Sequence, residues 1–368
     1  MTEQKTNQTP SQPGNGGETE PFLKRWFCVA ASNSGSTTKR DAETPNGFLD
    51  LVGQSSITWI DYRTDNLDSD TPIAAAQFGF SEQLVSSLTG DFKTTYQDFD
   101  TELGLRLPSV QVRFLDVNTH PLLILLKKNF ILTIHPLSVD RRFNRLRRYA
   151  DTVLRKIPVD ASAPDKLTML LARIIDENNE RNFEHLREIE ERGDEINKHL
   201  IDPQALRDRL GSQIYDMKHA LLIYLDALWE TVNVVHALRY GDAELITDDP
   251  KLLERIGVLG SEVNTQIGLA EHMSDVLASG LEVLQGIYNN QLQALNNRLA
   301  LMITYLTIIG TAILVPNTLA TILSNSAFAM DPNDRGWYIT LLVVATVVSS
   351  ALVWVWVRRA GWIPKKMD

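Results

Sequence analysis

The stretch LALMITYLTIIGTAILVPNTLATIL, residues 299–323, lies in a segment with no charged side chain between Arg298 and Asp331. A helix rises about 1.5 Å per residue, so about 20 apolar residues cross the hydrocarbon of a bilayer. This run is long enough. A second one, WYITLLVVATVVSSALVWVWV at residues 337–357, is almost purely aliphatic and aromatic. Residues 324–336 between them form a short loop holding Asp331, Asp334 and Arg335. Two such runs back to back argue against a buried soluble hairpin and predict a two-helix transmembrane hairpin.

The flanks orient it. Arg298 precedes the first span and Arg358, Arg359, Lys365 and Lys366 follow the second, whereas the loop is net negative. Positive flanks face the cytoplasm, so both termini are expected there, in a multi-pass protein of the cell membrane. Trp337 and Tyr338 at one end and Trp354, Trp356 and Trp362 at the other suit the two interfacial belts.

The rest of the chain resembles a soluble protein, and the mean hydropathy of −0.14 hides the spans. Lys plus Arg number 36 and Asp plus Glu 46, for a net charge of −10, the wrong sign for a nucleic-acid binder. The lone Cys28 excludes an intrachain disulfide and a cysteine-rich zinc site. The polar first residues contain no signal-peptide core, and 1–20 is expected to be a disordered tail. Gly14-Asn15-Gly16-Gly17 lacks the strand and helix that would make it a phosphate loop. With no nucleophile–base pair either, neither an enzyme nor an organic cofactor is expected.

Short β-rich runs at Trp26–Ala30, Ser56–Tyr62, Val110–Val117, Leu122–Leu126 and Ile131–His135, with one helix over Ile73–Leu88, predict an α/β domain with a mixed sheet over 21–136. Residues 137–248 turn helical: a basic helix over Asp140–Leu154, then long helices over Lys166–Leu200 and Ala205–Leu238. Residues 176–195 hold nine acids and three arginines, a net of −6. Asp249-Pro250 then marks a helix start, and no further proline comes before Pro316. The stalk helix over 249–298 carries Ile256, Val263, Ala270, Leu277 and Leu284, and also Leu281, Tyr288 and Leu295, a line that Met302 continues into the first span, at seven-residue spacing. Such a repeat predicts a left-handed bundle with like helices. The fold class is thus α+β, a mixed sheet plus long helices, with a stalk, the hairpin (299–323, loop 324–336, 337–357) and a basic tail, 358–368.

Polar residues along the first span are not scattered. Asn290, Asn297, Thr304, Thr311, Thr318 and Asn325 also recur every seven residues. Two spans cannot enclose a channel, but several copies of the first can, each position becoming a ring of oxygens of the kind a hard cation requires. A single membrane Thr is more simply explained by a hydrogen bond to its own i−4 carbonyl; six positions in one register favour the rings. Mg²⁺ dehydrates reluctantly, so the ion is expected to keep most of its waters. Asp331 and Asp334 would attract cations at the outer mouth. Pro316, followed by Asn317, a further pore-lining candidate, frees a backbone carbonyl. The sparsely polar second span suits a lipid-facing outer position.

The segment VQVRFLDVNTHPLLILLKKNFILTIH (110–135), the two acidic helices, the stalk, Leu306-Thr307-Ile308-Ile309-Gly310-Thr311 and Arg358-Arg359-Ala360-Gly361-Trp362, in this order, make the chain similar to the CorA-type magnesium transporter superfamily. The resemblance implies a homopentameric funnel with the first span lining the pore. It further implies transport of Mg²⁺ or a related divalent cation, and gating by divalent ions on acidic side chains between subunits. Glu262, Glu271 and Asp275 are the stalk candidates for that regulatory metal. The family's Gly-Met-Asn signature is absent: aligned on Pro316 its place reads Asn325-Ser326-Ala327, and aligned through the stalk Thr321-Ile322-Leu323. Asn325 is the one candidate for the missing amide ring. A Zn²⁺ or other divalent-metal transporter and a non-conducting membrane scaffold are the competing expectations.

Overall fold

The computed structural model of the protein describes residues 25–90, 93–201, 210–324, 333 and 335–359. The chain divides into two compact units, Met1–Gly280 and Leu281–Asp368.

The first unit is built on one seven-stranded sheet in the order β2-β1-β3-β7-β6-β5-β4. The strands are β1 (Trp26–Ser32), β2 (Thr37–Ala42), β3 (Ser55–Thr64), β4 (Tyr96–Asp98), β5 (Leu103–Arg113), β6 (Asp116–Lys127) and β7 (Phe130–Pro136). β3 and β7 pair in parallel and the other neighbours antiparallel, so the sheet is mixed, as expected. Both faces of the central strands are covered, which explains their unbroken apolar runs. Along β6, Leu122, Ile124 and Leu126 enter one core while Leu123 and Leu125 enter the other. This is the two-residue period of a strand.

Helices α1 (Phe48–Gln54), α2 (Leu67–Gln77) and α3 (Glu82–Thr89) precede β4. After β7 come α4 (Asp140–Arg155), α5 (Ala163–Asn179), α6 (Asn182–Ile201), α7 (Leu210–Tyr240) and the start of α8 (Pro250–Leu323). One core joins Phe27 and Trp59 of the sheet to Phe143 of α4, Leu171 of α5, Val235 of α7 and Ile256 of α8. Asp249 opens α8 as the Asp-Pro pair requires: its carboxylate accepts from the Lys251 amide at 3.1 Å.

Four readings of the sequence change. Val110–Val117 is not one strand but the closing end of the β5–β6 hairpin. Arg113 pairs with Asp116, and Phe114 turns the chain at φ 60° with its amide held by Glu188 at 2.9 Å. No Gly or Asn announces that turn, because a contact distant in sequence stabilises the positive φ. Ile73–Leu88 is two helices, separated by Gly79 at φ 72° and by Ser81, which caps α3. Lys166–Leu200 is likewise broken between Asn179 and Asn182, where short amides find tertiary partners. Asn178 donates to the Pro108 carbonyl at 2.9 Å and Asn182 to Gln266 of α8 at 3.2 Å. Finally, Ile256, Val263, Ala270 and Leu277 are buried inside the single chain, at 0–2 % exposure. That repeat is satisfied at home. Tyr288, Leu295 and Met302 of the other line stay 37–61 % exposed.

Two stalk glycines have a packing reason. A Cβ on Gly257 would come within 2.5 Å of the Arg239 guanidinium, and one on Gly260 within 3.3 Å of Val235, where α7 crosses close to α8.

A charge cluster is buried between the sheet and α4. Asp61, fully buried, accepts from Thr133 and Arg147 and lies 3.2 Å from His135 Nε2. Trp59 donates to the Thr133 hydroxyl at 3.0 Å. Burial alone would raise the Asp61 carboxyl, but the Arg147 guanidinium and His135 outweigh it and hold the group well below the ordinary carboxylate range. A carboxyl depressed in the folded state stabilises above its unfolded value, about 3.9, and that contribution is lost as pH falls towards the folded value. Stability measured by circular dichroism should therefore decline on acidification below about pH 4, with the steepness partly due to this residue. Asp61→Asn should flatten the acid limb relative to its own neutral-pH stability; an unaltered limb would remove Asp61 from the account.

Candidate pore-forming segment

In the second unit α8 continues to Leu323, and α9 (Arg335–Arg359) is the other long helix. Both expected spans are therefore helical. The most apolar window of α8 has none of its residues buried, and that of α9 only 6 %. Ile303, Leu306, Leu314, Val343 and Leu352 are each more than half exposed. Water does not tolerate so large an apolar surface; lipid or further copies of the chain must cover it. Helix α7 is also long and apolar, but half of its apolar window is buried inside the first unit, where it serves as core.

The link between α8 and α9 follows from Pro316. Proline has no N–H, so the carbonyl four residues earlier, at Ala312, loses its intrahelical donor. Ser349 of α9 is placed to supply it: its buried hydroxyl lies 3.0 Å from the Ala312 oxygen, its one proton shared between that carbonyl and its own helix's Thr346 carbonyl at 3.1 Å. The carbonyl freed by the proline is thus satisfied across the hairpin, as a hydrocarbon environment demands. Leu301, Ile308, Pro316, Leu319 and Leu323, on the same side of α8 as Ala312, are half-buried.

At about 100° per residue, every Thr and Asn between Leu299 and Leu323 lies at least about 80° from Ala312 around the helix. Thr304, Thr311 and Thr318 of the seven-residue stripe flank the α9 side by roughly a quarter to a third of a turn. Asn317, Thr307 and Thr321 lie nearly opposite. Thr307 and Thr321 escaped the sequence argument because Leu314 interrupts their own seven-residue line. Together the six fill one arc turned away from Ala312, with Thr304 half-buried at its edge and the other five exposed.

Each of these threonines donates its proton to its own helix. Thr304, Thr307, Thr311 and Thr321 bond to the carbonyls of Ala300, Ile303, Thr307 and Asn317 at 2.8 Å, and Thr318 to Leu314 at 2.7 Å. The simple explanation of a lone membrane threonine therefore holds at every one, yet it does not consume the oxygen. A hydroxyl has two acceptor lone pairs besides its proton, so with the proton engaged the outward group is purely an acceptor.

Asn290 and Asn297 are exposed on α8. Asn325, Asp331 and Asp334 lie outside the described residues. Glu262, Glu271 and Asp275 are exposed on the stalk. No group of three or more His, Cys, Asp or Glu side chains is placed to hold a metal among the described residues, so a single chain does not bring these three together.

Structural comparison supplies the relatives. The complete structure of the CorA magnesium transporter from Methanocaldococcus jannaschii matches with a TM-score of 0.65 at 18% identity, covering 93% of this chain and 100% of that one. Full-length CmaX matches at 0.59 and 16% identity, covering 91% and 98%. The soluble domain of the M. jannaschii CorA gives 0.55 at 18% identity over 71% of this chain and 96% of that one. These likenesses establish the fold, with its mixed sheet, long helices and C-terminal membrane helices. No curated protein sequence matches the chain. The family model described as CorA-like Mg2+ transporter protein, however, matches residues 54–359, from β3 through the end of α9. By that match, over most of its length, the chain belongs to the CorA-like Mg2+ transporter family.

Proposed function

We propose that copies of this chain assemble around an axis with the polar arc of α8 turned inward, and that hydrated divalent cations, Mg²⁺ first, pass along it. The observation that carries this reading is the arc itself: acceptor oxygens gathered on the side away from α9, on a span that one chain leaves uncovered. A hydrated cation presents water protons outward. Rings of acceptors whose own protons are engaged suit that shell and offer nothing to an anion. The absence of a carboxylate from the span agrees with transit of an ion that keeps its first-shell waters.

The finer assignments belong to the same reading. Asn325 would form an amide ring at the outer end, and Asp331 and Asp334 would concentrate cations there. Both termini would face the cytoplasm, and the assembly would be a pentamer, as in the superfamily it resembles. Glu262, Glu271 and Asp275 would meet their counterparts on neighbouring subunits and hold regulatory divalent ions, since one chain alone does not complete such a site.

Purified protein in liposomes loaded with a Mg²⁺-sensitive dye tests the proposal. Thr318→Val and Asn325→Ala are each expected to cut flux while the oligomer elutes unchanged. Flux untouched in both variants refutes the polar arc as the path. Competition by Zn²⁺, Co²⁺ or Ni²⁺ identifies the ion, and wild-type liposomes that never fill would assign the protein to a non-conducting role.

A further inference from the structure

We propose that a groove between α4, α5 and α8 of the first unit binds a nucleoside polyphosphate. The groove has a volume of about 660 Å³, within the range of small-molecule sites. Its walls carry four cations, Arg145, Lys156, Arg173 and Arg255, and no carboxylate lines it. Asp176, Glu177 and Glu180 offset Arg145 and Arg173, so the unpaired positive charge on this groove is that of Lys156 and Arg255. A cation path does not account for it.

The cations divide into two pairs. Arg145 and Arg173 are held by one buried carboxylate, Glu177, at 2.8 and 2.9 Å, with Glu180 and Asp176 as further partners. Their guanidinium groups are thereby fixed on one wall. Lys156 and Arg255 are exposed, and among the described residues neither is paired with a carboxylate. The forks of Arg145 and Arg173 are engaged by these carboxylates, so the phosphate oxygens fall to Lys156 and Arg255, one a point charge and the other a guanidinium fork of phosphate-matching geometry.

The remaining lining distinguishes a nucleotide from a bare polyphosphate. Val153 and Met169 are half-buried and Ile157 is buried, giving an apolar floor, and Tyr149 stands 55 % exposed on α4. Inorganic phosphate would leave this surface wet. A planar base fills it, with the tyrosine ring available for stacking and Thr152 placed to bond a sugar hydroxyl.

Isothermal titration of the full-length detergent-solubilised protein with ATP and with tripolyphosphate, divalent ions chelated, decides the matter. ATP is expected to bind saturably and more tightly than tripolyphosphate. Lys156→Gln with Arg255→Gln should weaken both by about tenfold or more, as loss of charged hydrogen bonds requires. Tyr149→Ala should weaken ATP alone. All three positions are exposed, so the variants should keep the circular dichroism and elution of the parent. The proposal is overturned by the absence of saturable ATP binding, by equal affinity in the double variant, or by tripolyphosphate matching ATP in the parent protein.

Discussion

Thr318→Lys is expected to abolish cation flux in reconstituted liposomes, where Thr318→Val only reduces it. Valine removes an acceptor from each copy and leaves the passage neutral. Lysine adds a positive charge per copy at the same level, and a unit charge about 5 Å from a divalent ion costs roughly 1.7 kcal/mol even at the dielectric of water. Each copy would thus lower the local ion concentration about tenfold or more, and the copies act together. Tyr305, pointing within about 20° of Ala312 around the helix, provides the control. Tyr305→Lys places its charge on the α9 side, away from the proposed axis, and should leave more flux than Thr318→Lys. Dye-reported influx measured beside size-exclusion elution separates blockage from failed assembly. Near-normal influx in an intact Thr318→Lys oligomer would remove this residue from the ion path.

Arg147→Met should destabilise the first unit by about 3–5 kcal/mol, the range for breaking a buried ion pair. Native domains are stable by only about 5–15 kcal/mol, so a large share is at stake. The guanidinium bonds the fully buried Asp61 and lies 5.3 Å from the Phe27 ring. Methionine keeps the apolar contact and leaves the carboxylate opposed only by His135 and Thr133. The coupled variant Asp61→Asn with Arg147→Met should recover part of the loss, because it removes the stranded charge. Thermal unfolding of the two single variants and the pair measures this. Strictly additive losses would mean that the two side chains do not act as a pair.

Both effects rest on features of very different legibility. The spans could be seen at once, because crossing a bilayer depends on the length and apolarity of one continuous segment. The start of α8 at Asp249-Pro250 and the central strands β3, β6 and β7 were legible for the same local reason. The edge strands β2 and β4 were not. β2, with the sequence TTKRDA, is largely exposed, so no apolar alternation marks it. The turn at Phe114 and the break after Asn179 escaped because their partners, Glu188 and Pro108, lie some 70 residues away.

In the candidate site the period of seven along α8 located a polar edge but did not define its limits. Which way that edge points depends on where α9 lies, and the Ser349–Ala312 contact and the half-buried residues beside it supply that reference. Thr307 and Thr321 then join the arc, and the engaged protons of all five threonines make its oxygens acceptors. The basic groove is further beyond sequence reading, since Arg145, Arg173 and Arg255 converge from three separate helices.

Taken alone, the amino-acid order determined that this chain enters a membrane twice, which end carries the charge, and that a long helix leads into the first crossing. Those are properties of contiguous residues set against a solvent. Strand order, the burial of Asp61 against Arg147, and the donor Ser349 gives to a carbonyl that Pro316 leaves bare were decided only by the tertiary structure. They are pairings between distant residues, and what determines them is the packing that brings those residues together.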